Sequence, residues 1–131
     1  MGKTLVAIVA GLIAWFAIAL GLGYVMRMSW AAYAAVADAM TFTLPMMLAR
    51  LTLGVLATLV GGWLVSRIAM HRTAAPLIFG AALLAIFIPE HIQLWSNFPI
   101  WYHLFFLSSL IPLALLGGRI AAPPGNAAYA T

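Results

Sequence analysis

A run of 23 residues from Thr4 to Met26 carries no charge, and three further apolar stretches of nearly that length follow it. No other feature constrains the fold as strongly. A helix needs about 20 apolar residues to cross about 30 Å of hydrocarbon, and each stretch reads as one such helix. Composition agrees, because the 131 residues are 66% hydrophobic and 6% charged, with a mean hydropathy of +1.14. A soluble domain this small needs far more polar surface, so lipid is the solvent for most of the chain. The expected fold is an all-α integral membrane bundle of four transmembrane helices. It forms one domain over 1–120, followed by a flexible tail over 121–131 that contains Pro123-Pro124-Gly125.

The first span is expected over about 4–26. Its apolar length exceeds the roughly 7–15 residues of a signal-peptide core, so it reads as a retained span. Ala7, Ala10, Ala14, Ala17 and Gly21 recur at helical spacing and predict a close-packing stripe. The connection from Arg27 to Leu44 is the longest. It predicts an interfacial helix over 29–40 with Ser29 as cap, and with Trp30, Tyr33 and Ala37 on one headgroup-level face. Pro45 suits the first turn of a second span over 45–66. Within it Arg50, Gly54, Ala57 and Gly61 share one face, so the arginine points into the bundle and not at lipid.

Arg67, His71 and Arg72 mark a short basic loop. The third span is expected over 76–94, bent by Pro89 and carrying Glu90 near the hydrocarbon boundary. Trp95 to Pro99 forms a turn. The fourth span runs over 100–117, with His103, Leu107, Leu110, Ala114 and Gly117 on one stripe and Gly117-Gly118 as its end. Pro112 lies inside it, and Ser108 and Ser109 are placed to bond the carbonyl it frees. Lys3, Arg67, Arg72 and Arg119 fall on one side of this layout, and Arg27 falls on the other. The positive-inside rule then makes both termini cytoplasmic, and the expected location is the cell inner membrane.

Candidate functional residues gather at the outward end. Arg50, Glu90, His103, His91 and Asp38 form the candidate buried polar cluster, and Ala14, Gly21, Gly54 and Gly61 are the candidate helix-packing positions. An arginine within the hydrocarbon needs a partner, and the chain offers two acids, Asp38 and Glu90. Glu90 matches Arg50 in depth, so a buried Arg50–Glu90 pair is expected, with His103 beside it. The same residues could hold zinc through His91, His103, Glu90 and Asp38, and the outward methionines would suit Cu(I). Facing histidines could bracket a haem. None of these has a recognised spacing, so no cofactor and no metal is assigned. No cysteine is present, which excludes disulfides and thiolate sites.

A transport path through Arg50, Glu90 and His103 would stop half-way, because the inner halves of the spans carry no charge. No nucleophile–base–orienter set and no phosphate-binding glycine loop is present, so no enzyme is expected. The net charge of +4 lies at loop ends and does not indicate nucleic acid. The sequence thus predicts a small non-enzymatic membrane protein. It would be an accessory or interaction subunit, or a self-associating bundle, whose partners are lipids, other membrane subunits or itself. The alternative is a protein binding or transporting a lipid-like, quinone-like or metal ligand at an outward aromatic, histidine and arginine pocket.

Overall fold

The computed structural model describes residues 2–70 and 72–122. Five α-helices follow in order: α1 (Gly2–Ser29), α2 (Ala31–Ala37), α3 (Leu44–Ile68), α4 (Ala74–Gln93) and α5 (Ile100–Ala121), with one 3-10 turn at Trp95–Asn97. No strand occurs among the described residues. Helices α1, α3, α4 and α5 are long and apolar enough to cross a membrane. In hydrocarbon an unpaired backbone group costs several kcal/mol, so an apolar run satisfies its own N–H and C=O groups by coiling into a helix. The expected all-α bundle with four spans is therefore the observed fold. His71 and the tail from residue 123 onward lie outside the described residues.

The largest boundary difference is at α5, which runs to Ala121 and does not end at Gly117-Gly118. Packing overrides propensity here. A Cβ at Gly117 would meet the Leu59 carbonyl oxygen at 2.2 Å, and one at Gly118 would meet the Pro76 ring at 2.7 Å. These glycines are where α5 crosses α3 and α4, not where it stops. Pro89 and Pro112 both sit inside continuous helices. The serines near Pro112 bond differently from expectation, because Ser109 donates to the Phe106 carbonyl at 2.8 Å and Ser108 to that of Phe105 at 3.4 Å. Ser29 is likewise no cap. It closes α1 and donates to the Val25 carbonyl, and α2 starts after Trp30 with no side-chain cap.

Helix packing divides the bundle into two unlike ends. At the end where α1 starts and α3 finishes, Lys3 Nζ reaches Met70 Sδ at 3.3 Å, and glycines bring backbones together. A Cβ at Gly62 would lie 2.2 Å from the Ala114 carbonyl oxygen, and one at Gly80 would lie 2.9 Å from Ile111 Cα. Gly11 and Gly61 both seat Phe79, which is fully buried. Close approach of this kind is how membrane helices gain contact without a hydrophobic driving force between them.

The expected stripes fare differently. Gly54, Ala57 and Gly61 are buried on one face of α3, and Gly54 and Gly61 pack inside the bundle against Phe106 and Phe79. On α5, His103, Leu110, Ala114 and Gly117 are buried. On α1 the buried residues are Ala7, Gly11 and Trp15, so Ala14 is only half-buried and Ala17 and Gly21 are exposed. Nothing lies within 4 Å of a Cβ at Gly21 or Gly23. The expected α1 stripe is corrected to a spacing of four, which belongs to a steeper helix crossing than the alternating three–four pattern. Beyond Trp15, α1 therefore leans away from its neighbours and leaves a gap.

Candidate functional site

That gap is a cavity of about 290 Å³ at the end where the aromatic residues gather. Trp15, Ala19 and Gly23 line it from α1, Arg50, Leu53 and Gly54 from α3, and Phe87, Glu90, His91 and Leu94 from α4. Tyr33, Met40, Phe98, Tyr102 and Phe106 complete the wall. Its floor is a hydrogen-bonded step. Trp15 Nε1 donates to Thr58 Oγ1 at 2.9 Å, and that hydroxyl donates to the Gly54 carbonyl at 2.7 Å. Both groups are buried, so each polar atom finds the partner that an apolar interior demands.

Arg50 stands over this floor, but its partners are not the expected ones. Its Nη1 donates to the Tyr33 hydroxyl at 2.8 Å, and its Nε donates to the Tyr102 hydroxyl at 3.4 Å. The guanidinium lies 4.7 Å from the centre of the Phe42 ring and 5.7 Å from that of Phe98. Those rings belong to a stack running Trp30, Tyr33, Phe42, Phe98 and Tyr102, with successive centroids 4.3 to 5.8 Å apart. The negative faces of the rings and the two phenol oxygens hold the cation in place of a carboxylate. The expected Arg50–Glu90 pair does not form. Among the described residues the one ion pair within 4 Å is Arg27–Asp38, at 3.2 Å. Glu90 is exposed at the rim of the same cavity.

Asp38 is also placed away from the expected cluster. It follows the last residue of α2 and its side chain is 93% exposed, so its link to Arg27 is a solvated surface pair that contributes little. The two outward histidines do meet. His91 Nδ1 and His103 Nδ1 are 2.7 Å apart, and His103 Nε2 lies 3.2 Å from the Trp95 carbonyl oxygen. His103 is fully buried beneath the Trp95 ring, whose centroid is 4.6 Å away at an interplanar angle of 12°. His91 is buried against Tyr102 and Phe106. No group of three or more ligating side chains is assembled among the described residues. The histidines' Nδ1 atoms are engaged with one another.

Of the sequence-predicted cluster, the fold thus brings Arg50, Glu90 and His91 to one cavity, sets His103 behind His91, and leaves Asp38 outside. The sequence reading missed Tyr33, Tyr102, Phe42 and Phe98 as partners of Arg50, and Trp15 with Thr58 as the floor. A usable signal was present for the tyrosines. With only two acids in the chain, phenol oxygens and ring faces are the next available partners for a membrane-level guanidinium.

Fold and site together define the class: a small multi-pass membrane protein whose four spans enclose an aromatic cavity anchored by one arginine. No family model matches this chain, and neither a curated protein nor a solved structure does.

Proposed function

We propose that this is a non-enzymatic protein of the inner membrane that binds an amphipathic ligand by its acidic head in the Arg50 cavity. In this reading both termini are cytoplasmic and the cavity faces outward, as the distribution of arginine and lysine favours. One observation carries it. Arg50 brings a full positive charge to an aromatic wall, meets no carboxylate within 4 Å among the described residues, and spends only two of its five N–H donors on tyrosine hydroxyls. A fixed cation with donors to spare beside an empty apolar space is a receptor for a carboxylate or phosphate.

The small-residue faces that favoured an accessory or self-associating subunit are largely used within the chain, at Gly54, Gly61, Gly62 and Gly117. That reading keeps one supporting observation, the open Gly21 on the exposed side of α1, where a helix of a second membrane protein could approach.

Gly23 gives the test. It lines the cavity, and a Cβ there meets nothing within 4 Å, so Gly23→Leu fills the space without disturbing packing. The protein purified in mild detergent should retain a ligand in defined proportion by native mass spectrometry, and Gly23→Leu should lose it while melting at no lower a temperature, since leucine is the better helix former. An identical complement of bound small molecules in both proteins would remove the cavity from consideration.

A further inference from the structure

We infer that the cavity takes a zwitterionic head group, with its acid on Arg50 and a primary ammonium between His91 and Glu90. This rests on the ligand-binding reading above and adds what the ligand must carry. The Trp95 carbonyl only accepts hydrogen bonds, so His103 Nε2 carries a proton. In a neutral ring His103 Nδ1 is then a lone pair, and the 2.7 Å contact requires His91 Nδ1 to donate the proton to it. A neutral His91 is left with a lone pair at Nε2. No described residue donates to that atom, although His91 is only 7% exposed and lines the cavity. An acceptor on a cavity wall that no described residue meets is free to take a hydrogen bond from a bound group.

Glu90 is the preceding residue and lines the same cavity at its rim. It too has no protein partner among the described residues. The cavity therefore presents one cation with spare donors on α3 and, across from it on α4, one anion and one neutral acceptor. A group that meets all three must be negative at one end and donate hydrogen bonds from a positive centre at the other. A primary ammonium has three donors and one charge, enough for both the Glu90 carboxylate and His91 Nε2.

Other ligands satisfy less. A quinone offers only acceptors and leaves His91 and Glu90 unmet. A purely anionic head group serves Arg50 but sets a second negative charge near Glu90. A trimethylammonium carries charge without N–H donors. The volume of about 290 Å³ is at the small end of ligand sites, which run to about 1,000 Å³. It fits a head group, with any acyl chains left outside in the surrounding lipid. Two sources share this chemistry: the head of an aminophospholipid, and a free amino acid or phosphoethanolamine from the aqueous side.

The experiment is a competition. Full-length protein is reconstituted in nanodiscs with equal phosphatidylethanolamine, phosphatidylcholine and phosphatidylglycerol, then stripped with detergent and weighed by native mass spectrometry. Phosphatidylethanolamine should be retained about tenfold over either competitor, the effect of one charge-assisted hydrogen bond. Glu90→Gln should level phosphatidylethanolamine with phosphatidylcholine while lipid is still retained, and Gly23→Leu should abolish retention of all three. If soluble phosphoethanolamine is retained by protein in pure phosphatidylcholine discs and the phospholipid is not preferred, the free source is the ligand. Phosphatidylglycerol held as well as phosphatidylethanolamine, with Gly23→Leu still abolishing both, overturns the zwitterion and leaves the cavity standing. Retention indifferent to Gly23→Leu overturns the cavity itself.

Discussion

Replacing Gly62 by alanine adds one methyl group at the tightest crossing in the bundle. Its Cβ would lie 2.2 Å from the Ala114 carbonyl oxygen and 2.9 Å from that residue's Cα, where ordinary contact begins at about 3.4 Å. The obstacle is backbone, so no side chain can rotate aside, and α3 and α5 must part by about 1 Å. A gap of that size forfeits about a quarter to a half of each dispersion contact along the crossing. Overpacking typically costs about 1–3 kcal/mol, and a backbone obstacle belongs at the upper end. Better helix propensity offsets about 1 kcal/mol, leaving a net loss of about 1–2 kcal/mol.

Gly21→Ala is the matched control, because it gains the same propensity and meets nothing within 4 Å. It should be neutral or stabilising by up to about 1 kcal/mol. Reversible unfolding of both variants in mixed detergent micelles reads the difference, expected at about 1–3 kcal/mol from the figures above. Gly117 meets the Leu59 carbonyl at the same crossing. Once Gly62→Ala has parted the helices, Gly117→Ala should add less than its own single cost. Equal stability of Gly62→Ala and Gly21→Ala would refute the close α3–α5 approach on which the fold rests.

Three further outcomes follow from the site. Thr58→Val should destabilise more than Trp15→Phe, by about 1 kcal/mol, since it strands the buried indole N–H whereas Trp15→Phe leaves Thr58 bonded to Gly54; thermal melts of the two variants in detergent decide this. Arg50→Leu should lower stability and Glu90→Leu should change it by no more than about 0.5 kcal/mol, because the arginine is held by Tyr33 and Tyr102 and the glutamate is exposed. Rescue of Arg50→Leu by Glu90→Leu, again in melting temperature, would show that the two charges meet after all. Cysteines at Ala35 and Ser96 should react with an impermeant thiol reagent in intact cells, and cysteines at Gly2 and Ala74 should not; the reverse pattern would invert the topology.

Most of the fold was legible because hydrocarbon leaves a chain few choices. Uninterrupted apolar runs became helices, and the faces of α3 and α5 were fixed by counting from Arg50 and His103. Partners were harder to read. Charge bookkeeping paired Arg50 with Glu90, since one intramembrane cation and one acid at its depth suggest a bond. The bond went to Tyr33, on a seven-residue helix whose docking no periodicity encodes, and to ring faces that carry no formal charge. The α1 stripe failed for a different reason. Alanine is common enough there to support two spacings, and only the bulk of Trp15 and Phe79 decides that Gly11 is buried and Gly21 is not. The histidine pair was visible as two residues at one level, but its proton order required the Trp95 carbonyl.

We propose that Arg50, which meets no carboxylate within 4 Å among the described residues, receives a ligand's acid in its cavity. A crystal structure of the full chain grown from a native-lipid mesophase tests it most directly. Ordered non-protein density is expected between Arg50 and His91, with an acidic group on the guanidinium and the Tyr33 and Tyr102 bonds intact. A cavity closed by Arg50 turned onto the Glu90 carboxylate, with nothing else bound, would contradict it.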